Sequence, residues 1–241
     1  MKKLLVGASL LLALGNVSAN AADLPSRIPT KAPPIATFFD WTGFYIGAHA
    51  GYGWASAEYS DPVTTPGWSL NNKINGGLLG GQFGYNIQFG NIVLGAEGEV
   101  SWADIKGNTT DVGAFAGDLY NTKIKWLATG TGRIGFAADR ALIYAKGGIA
   151  WADTEYNYQA VGFGPTQGSS TRVGWTVGAG VEYALAANWS AKVEYDYLDF
   201  GSRSVDLLPL SDGFRADIDQ QVHTVKIGVN YRFGGPIVAR Y

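Results

Sequence analysis

Residues Val225 to Phe233 read V-K-I-G-V-N-Y-R-F, and no other stretch restricts the fold of this chain so strongly. Val225, Ile227, Val229, Tyr231 and Phe233 are apolar or aromatic, with Lys226, Gly228, Asn230 and Arg232 between them. A strict period of two makes a strand with one greasy face and one polar face. Strands of this length, tilted by about 45°, just cross a bilayer core. Transmembrane β-barrels commonly close on such a strand, ended by an aromatic near the C-terminus. The expected fold class is therefore all-β, an antiparallel up-and-down transmembrane barrel, with no transmembrane helix.

The N-terminus agrees with export. Lys2 and Lys3 precede an apolar run, Leu4 to Leu14, too short to span a bilayer as a helix. Ala19-Asn20-Ala21 fits a small-x-small cleavage site, so Ala21 and Ala22 mark the processing point, with cleavage after Ala22 as the alternative. The segment 22–40 carries four of the nine prolines and reads as an extended periplasmic lead-in. The expected organisation is signal peptide 1–21, lead-in 22–40, barrel 41–233 and a short tail, 234–241.

Cysteine is absent, which removes a disulfide scaffold, thiol catalysis and cysteine-ligated metals. Without Lys2 and Lys3 the 18 bases become 16 against 20 acids, a net charge of −4, and nothing points to nucleic acid. The 34 glycines and 13% aromatics suit half-exposed strands better than a water-soluble core.

The same alternation recurs seven more times. Phe44, Ile46, Ala48, Ala50, Tyr52 and Trp54 form the outward set of the first strand, Trp41–Ala55, with Tyr45 and His49 inward. Leu79, Phe83, Tyr85, Ile87 and Phe89 form that of the second, against Gln82 and Asn86. Leu94, Ala96, Val100 and Trp102 oppose Glu97, Glu99 and Ser101 in the third. In the fourth, Ile124, Trp126, Ala128, Ile134 and Phe136 oppose Lys125, Thr129, Thr131 and Arg133. Ile143, Ala145, Ile149 and Trp151 oppose Tyr144 and Lys146 in the fifth, the least regular, where Tyr144 fits either face. The sixth sets Val173, Trp175, Val177, Val181 and Tyr183 against Thr176 and Glu182. The seventh sets Trp189, Val193, Tyr195 and Tyr197 against Ser190, Lys192, Glu194 and Asp196.

Short turns near Gly90, Asp139 and Ala187 alternate with four connections of about 17–20 residues, from Ser56, Asp104, Asp153 and Gly201, as outer-membrane barrels require. Two independent checks agree. All nine prolines fall outside the strands, where a lost ladder hydrogen bond could not be replaced by water. Aromatics collect at both strand ends: Trp54, Trp102, Trp126, Trp151, Trp175 and Tyr197 on the loop side, and Trp41, Phe89, Phe136, Tyr183, Trp189 and Phe233 on the turn side.

The inward positions contain Glu97, Glu99, Glu182, Glu194 and Asp196 against Arg133, Lys146, Lys192, Lys226 and Arg232. Balanced charge in a lumen only wide enough for side chains predicts a salt-bridged plug. The alternative is a thin polar path for small ions, with water beside inward glycines such as Gly47, Gly84, Gly178 and Gly180. His49 and His223 are too few for a metal site of fixed spacing. His223-Thr224 lacks the adjacent serine that nucleophilic catalysis would need. No cofactor, metal or enzymatic activity is expected. The long connections hold eleven acids against Lys73, Lys106, Arg203 and Arg215, an acidic outer surface.

W-T-G-F-Y-I-G-A-H-A-G-Y-G-W (Trp41–Trp54), G-G-x-x-G-Y-N (Gly80–Asn86), E-Y-D-Y-L-D-F-G (Glu194–Gly201) and V-N-Y-R-F (Val229–Phe233) together resemble the alphaproteobacterial outer-membrane β-barrel family. That family includes the outer-membrane immunogenic and hemin-binding proteins, often labelled porin family. The resemblance implies an eight-stranded OmpA-like barrel, abundant at the surface and structural in the envelope. Hemin binding by some relatives cannot be mapped onto residues here. The expected function is support of envelope integrity, with a narrow pore and a surface receptor or adhesin as alternatives. Expected partners are outer-membrane lipid, lipopolysaccharide and the barrel-assembly machinery, which would read Phe233 or Tyr241. Peptidoglycan and host surfaces are further candidates.

Overall fold

Alternation of apolar and polar residues commits each segment to a strand with two unlike faces, and eight such strands bury their polar faces by closing on one another. The computed structural model describes residues 39–61, 68–110, 117, 119–159, 166–206 and 215–233. The strands are β1 (Gly43–Asp61), β2 (Trp68–Phe89), β3 (Ile92–Thr110), β4 (Leu119–Ala138), β5 (Ala141–Gln159), β6 (Thr166–Ala184), β7 (Trp189–Asp206) and β8 (Arg215–Arg232). Every neighbouring pair is antiparallel, and β8 pairs with β1 to close the barrel. Val229 lies opposite Ala48 and Tyr231 opposite Ile46, so the diagnostic strand is the closing one. Phe233 then donates its backbone N–H to the Phe44 carbonyl at 2.8 Å. Tyr241, the cleavage residues Ala21 and Ala22, and all nine prolines lie outside the described residues.

Two turn-side connections are tight: Gly90-Asn91, with Gly90 at φ 60°, and Asp139-Arg140, with Asp139 at φ 54°. The outward faces are apolar. Leu79, Phe83, Ile143 and Ile227 are each more than half exposed, and Trp102 reaches 78%. In water such a surface would be an aggregation hazard, whereas in lipid it is the favourable solvent contact. Val229→Arg, on this face, is expected to cost about 2–4 kcal/mol of folding stability. Urea titration in lipid vesicles measures it, and an unchanged midpoint would reverse the face assignment.

Three sequence expectations need correction. First, the strands are longer than the bilayer requires. Of the expected connection 56–75, residues up to Asp61 and from Trp68 onward are paired strand, and the other three behave alike. Once both faces meet water the hydrophobic period vanishes, although backbone pairing continues. Second, β4 is irregular between Ile124 and Trp126, where its register shifts against both neighbours. One residue too many places Ile124 inside, fully buried, and turns Lys125 outward, where it pairs with Glu155. Third, Trp41 is not in the turn-side aromatic ring but buried, 2% exposed. The chain bends at Gly43 (φ 133°), a conformation glycine adopts freely, and carries Trp41 under the barrel.

Candidate functional site

Among the described residues, chemistry-bearing side chains converge in the interior, and it is layered. At the turn-side mouth Trp41 and Phe39 meet edge to face, 4.8 Å between centroids. The Arg232 guanidinium covers the Phe39 ring at 4.1 Å and donates from Nη2 to the Ala187 carbonyl at 3.0 Å. Trp41 donates its backbone N–H to Gln88 Oε1 at 2.7 Å. The lead-in thus ends as a side-chain stopper.

Above it, Arg133 lies between the rings of Tyr45 and Tyr144, 4.6 and 5.2 Å from their centroids. Its Nε donates to Asn86 Oδ1 at 2.9 Å, and its Nη1 is 3.5 Å from both Glu97 and Glu182. The tyrosine hydroxyls donate onward, Tyr45 to Glu97 at 2.8 Å and Tyr144 to Glu194 at 2.7 Å. Tyr144, equivocal in sequence, therefore faces inward.

The centre is ionic. Lys146 Nζ lies 3.2 Å from Glu97, 2.8 Å from Glu99 and 2.7 Å from Glu194. Lys192 Nζ lies 3.3, 3.0 and 3.2 Å from the same three carboxylates. Lys226 Nζ reaches Glu99 at 2.6 Å, Glu194 at 2.9 Å and Asp196 at 2.7 Å. Oxygens of Glu97, Glu99 and Glu194 lie within 4.8 Å of one another, close enough to hold a cation. Three ammonium groups already fill that role. Glu182 sits lower, accepting from Ser190 and from Asn230 Nδ2. Five carboxylates thus share four nearby cations, and Arg232 stands apart on its aromatic rings rather than in the ion-paired cluster. All ten sequence-selected charges are buried inside the barrel.

His49 is a wall residue in a satisfied chain: Nδ1 is 2.6 Å from Gln82 Oε1, Nε2 is 2.7 Å from Ser101 Oγ, and Gln82 donates to Asn230 at 2.8 Å. His223 faces the other way, stacked on Trp54 at 5.7 Å with its Nδ1 2.7 Å from the Tyr195 hydroxyl. The strands are neighbours, but the barrel wall separates the two imidazoles, so no metal can bridge them.

The inward glycines hold side chains rather than leaving space for water. A Cβ at Gly84 would collide with Tyr45, one at Gly180 would crowd Tyr144, and one at Gly178 would strike Asp196.

The loop-side layer was missed in sequence. Ile74, Leu78, Ile105, Ile124, Leu127, Leu198, Phe200 and Val222 form one buried apolar cluster across the lumen. Counting inward positions past the charges would have found most of it, since Glu97, Glu99, Ser101, Ala103 and Ile105 share one parity. Ile124 and Leu127 needed the β4 irregularity as well. Above lie Asn72, Thr109 and Thr122, joined by hydrogen bonds of 2.9 and 3.3 Å, and the buried Arg172, also missed. On the outer rim, beyond Trp102, hydrogen bonds from Lys106 and then Lys123 hold the Asp104 carboxyl below its usual range.

A closed barrel with an apolar exterior and a paired-charge interior is a transmembrane β-barrel protein. The chain belongs to the outer membrane protein beta-barrel domain family, whose pattern matches residues 9–233. It is 34% identical to the 31 kDa outer-membrane immunogenic protein of Brucella melitensis, over 92% of this chain and 97% of that protein. It is 30% identical to the 25 kDa outer-membrane immunogenic protein of Brucella abortus, over 97% and 99%. A 22 kDa outer membrane protein of Rhizobium leguminosarum is 30% identical over 83% and 82%. These relatives are outer-membrane proteins, which supports an outer-membrane location for this chain. Among solved structures, the outer membrane protease OmpT of Escherichia coli matches with a TM-score of 0.53 at 8% identity, over 83% of this chain and 99% of OmpT. That likeness concerns the fold alone.

Proposed function

We propose that this protein is a non-enzymatic structural barrel that supports the outer membrane and passes no ions through its lumen. The observation that carries this reading is the filling of the interior from end to end: an aromatic–arginine stopper, a network of ion pairs, then an apolar layer. Each is a separate barrier. Paired charges offer an ion no free ligand, and an apolar constriction disfavours water. No carboxylate of the cluster is left beside a cleft where a substrate could reach it, which supports the non-enzymatic reading. In the same proposal the chain is exported with cleavage after Ala21, and its β-barrel is inserted by the assembly machinery through the aromatic at Phe233. Planar-bilayer recording of purified protein, checked for folding by heat-modifiable gel mobility and for processing by intact mass, is the test. Silence in the bilayer is expected; reproducible open steps would overturn the closed-lumen reading in favour of a narrow pore.

A further inference from the structure

Neighbouring strands are joined by a turn or loop everywhere except between β1 and β8, whose seam has no covalent link. An opened seam would expose two rows of unpaired backbone groups, costly in lipid and a template for pairing with another chain. At the turn side the seam ladder runs out with the pair Tyr45 and Arg232, followed by the Phe233 N–H on the Phe44 carbonyl.

The residues that precede β1 fold across this end. On one side Gln88 of β2 clasps them twice, its Oε1 accepting from the Trp41 N–H at 2.7 Å and its own N–H donating to Thr42 Oγ1 at 3.1 Å. On the other side the Arg232 guanidinium, at the end of β8, lies 4.1 Å from the Phe39 ring and 5.8 Å from that of Trp41. Arg232 is itself fixed to the β6–β7 turn. Its backbone N–H donates to the Asn188 carbonyl and its carbonyl accepts from Asn188 Nδ2, both at 2.8 Å. Trp41 also belongs to one buried cluster with Val93, Ala137, Leu142 and Ala184, which come from β3 to β6. Gly43 permits the crossing, because a Cβ there would come within 2.9 Å of the Phe233 carbonyl oxygen.

The crossing is held mainly by packing and by cation–π attraction. The Trp41 indole N–H and the Arg232 Nε and Nη1 groups have no hydrogen-bond partner among the described residues. Release would return these donors to water, so the crossing can open without first breaking the strand ladder. We infer that Phe39, Trp41 and Arg232 form a latch that keeps the β1–β8 seam from opening at its turn-side end. Its parts come from both ends of the barrel sequence, so it closes after β8 has paired with β1. It therefore lengthens the lifetime of the folded barrel rather than speeding its formation. The latch depends on the closure of the barrel and not on whether the lumen conducts.

The test uses the full refolded protein in phosphatidylcholine vesicles, with amide deuterium exchange read by mass spectrometry. Phe39→Ala and, separately, Trp41→Ala should speed exchange at least about tenfold at the start of β1 and the end of β8. Exchange around Ala137 and Leu142, which share the buried cluster with Trp41, should change less than about twofold. A disulfide across the seam gives a second measurement, since the chain has no cysteine of its own. Ala48→Cys and Val229→Cys stand opposite each other in register on β1 and β8. With this pair reduced, Trp41→Ala should speed unfolding in urea at least about tenfold; with it oxidised, less than about twofold. Equal gains in exchange at the seam and around Ala137 and Leu142 would mean plain packing and overturn the latch. So would an acceleration of unfolding that survives oxidation, or seam exchange within about twofold of the unaltered protein in a folded variant. Heat-modifiable mobility verifies folding, and Phe39→Ala, at a partly buried ring, keeps the test open if Trp41→Ala misfolds.

Discussion

Replacing Lys192 by methionine is expected to destabilise the folded barrel by about 3–5 kcal/mol, the cost of leaving buried charges without a partner. The side chain is fully buried and its ammonium lies between three carboxylates, Glu97, Glu99 and Glu194. Methionine fills most of the volume, so lost packing is a minor part of the effect. With Lys192 gone, five carboxylates face only Arg133, Lys146 and Lys226. Urea titration of the barrel in vesicles measures the loss. Pairing the change with Glu99→Gln removes one negative charge with the positive one and should recover part of the stability, a coupling that appears as non-additivity in the double-mutant cycle. A single-mutant loss below about 1 kcal/mol would mean the cluster is hydrated rather than dry.

Ile124→Ala is expected to cost about 2–5 kcal/mol, the range for emptying a packed aliphatic site. Ile124 has no solvent exposure and belongs to the apolar layer that crosses the lumen. If this residue faced lipid, as strict alternation along β4 predicts, truncation would cost far less, because acyl chains would fill the gap. The magnitude therefore separates the two placements. The same variant should remain silent in planar bilayers, since the ion-paired layer beneath is untouched. Open steps from Ile124→Ala would show that the apolar layer alone closes the barrel.

Most of the fold was legible because a β-barrel in a membrane writes its two faces into every second residue. The closing strand, the outward sets of β2, β6 and β7, and the inward placement of all ten lumen charges follow from parity alone. Parity fails where one residue is added, as at Lys125, because the two sides of the addition no longer share one count; Ile124 and Lys125 are reversed, while Thr129 to Phe136 keep their expected faces. It also falls silent beyond the membrane, where both faces are polar. Trp41 was misplaced for a different reason: it precedes β1, and an aromatic near a strand end looks the same whether it anchors at the interface or folds under the barrel.

The sequence by itself determined that the chain is an eight-stranded outer-membrane barrel with charged residues turned inward. This followed because lipid outside and a narrow interior leave few other ways to satisfy such alternation. Which charges meet, that Arg232 leaves the cluster for Phe39 and Trp41, that glycines receive tyrosine rings, and that an apolar layer closes the loop-side lumen were decided only in three dimensions. Those contacts join residues tens of positions apart on different strands, and their partners depend on strand register and barrel curvature, which local alternation does not encode.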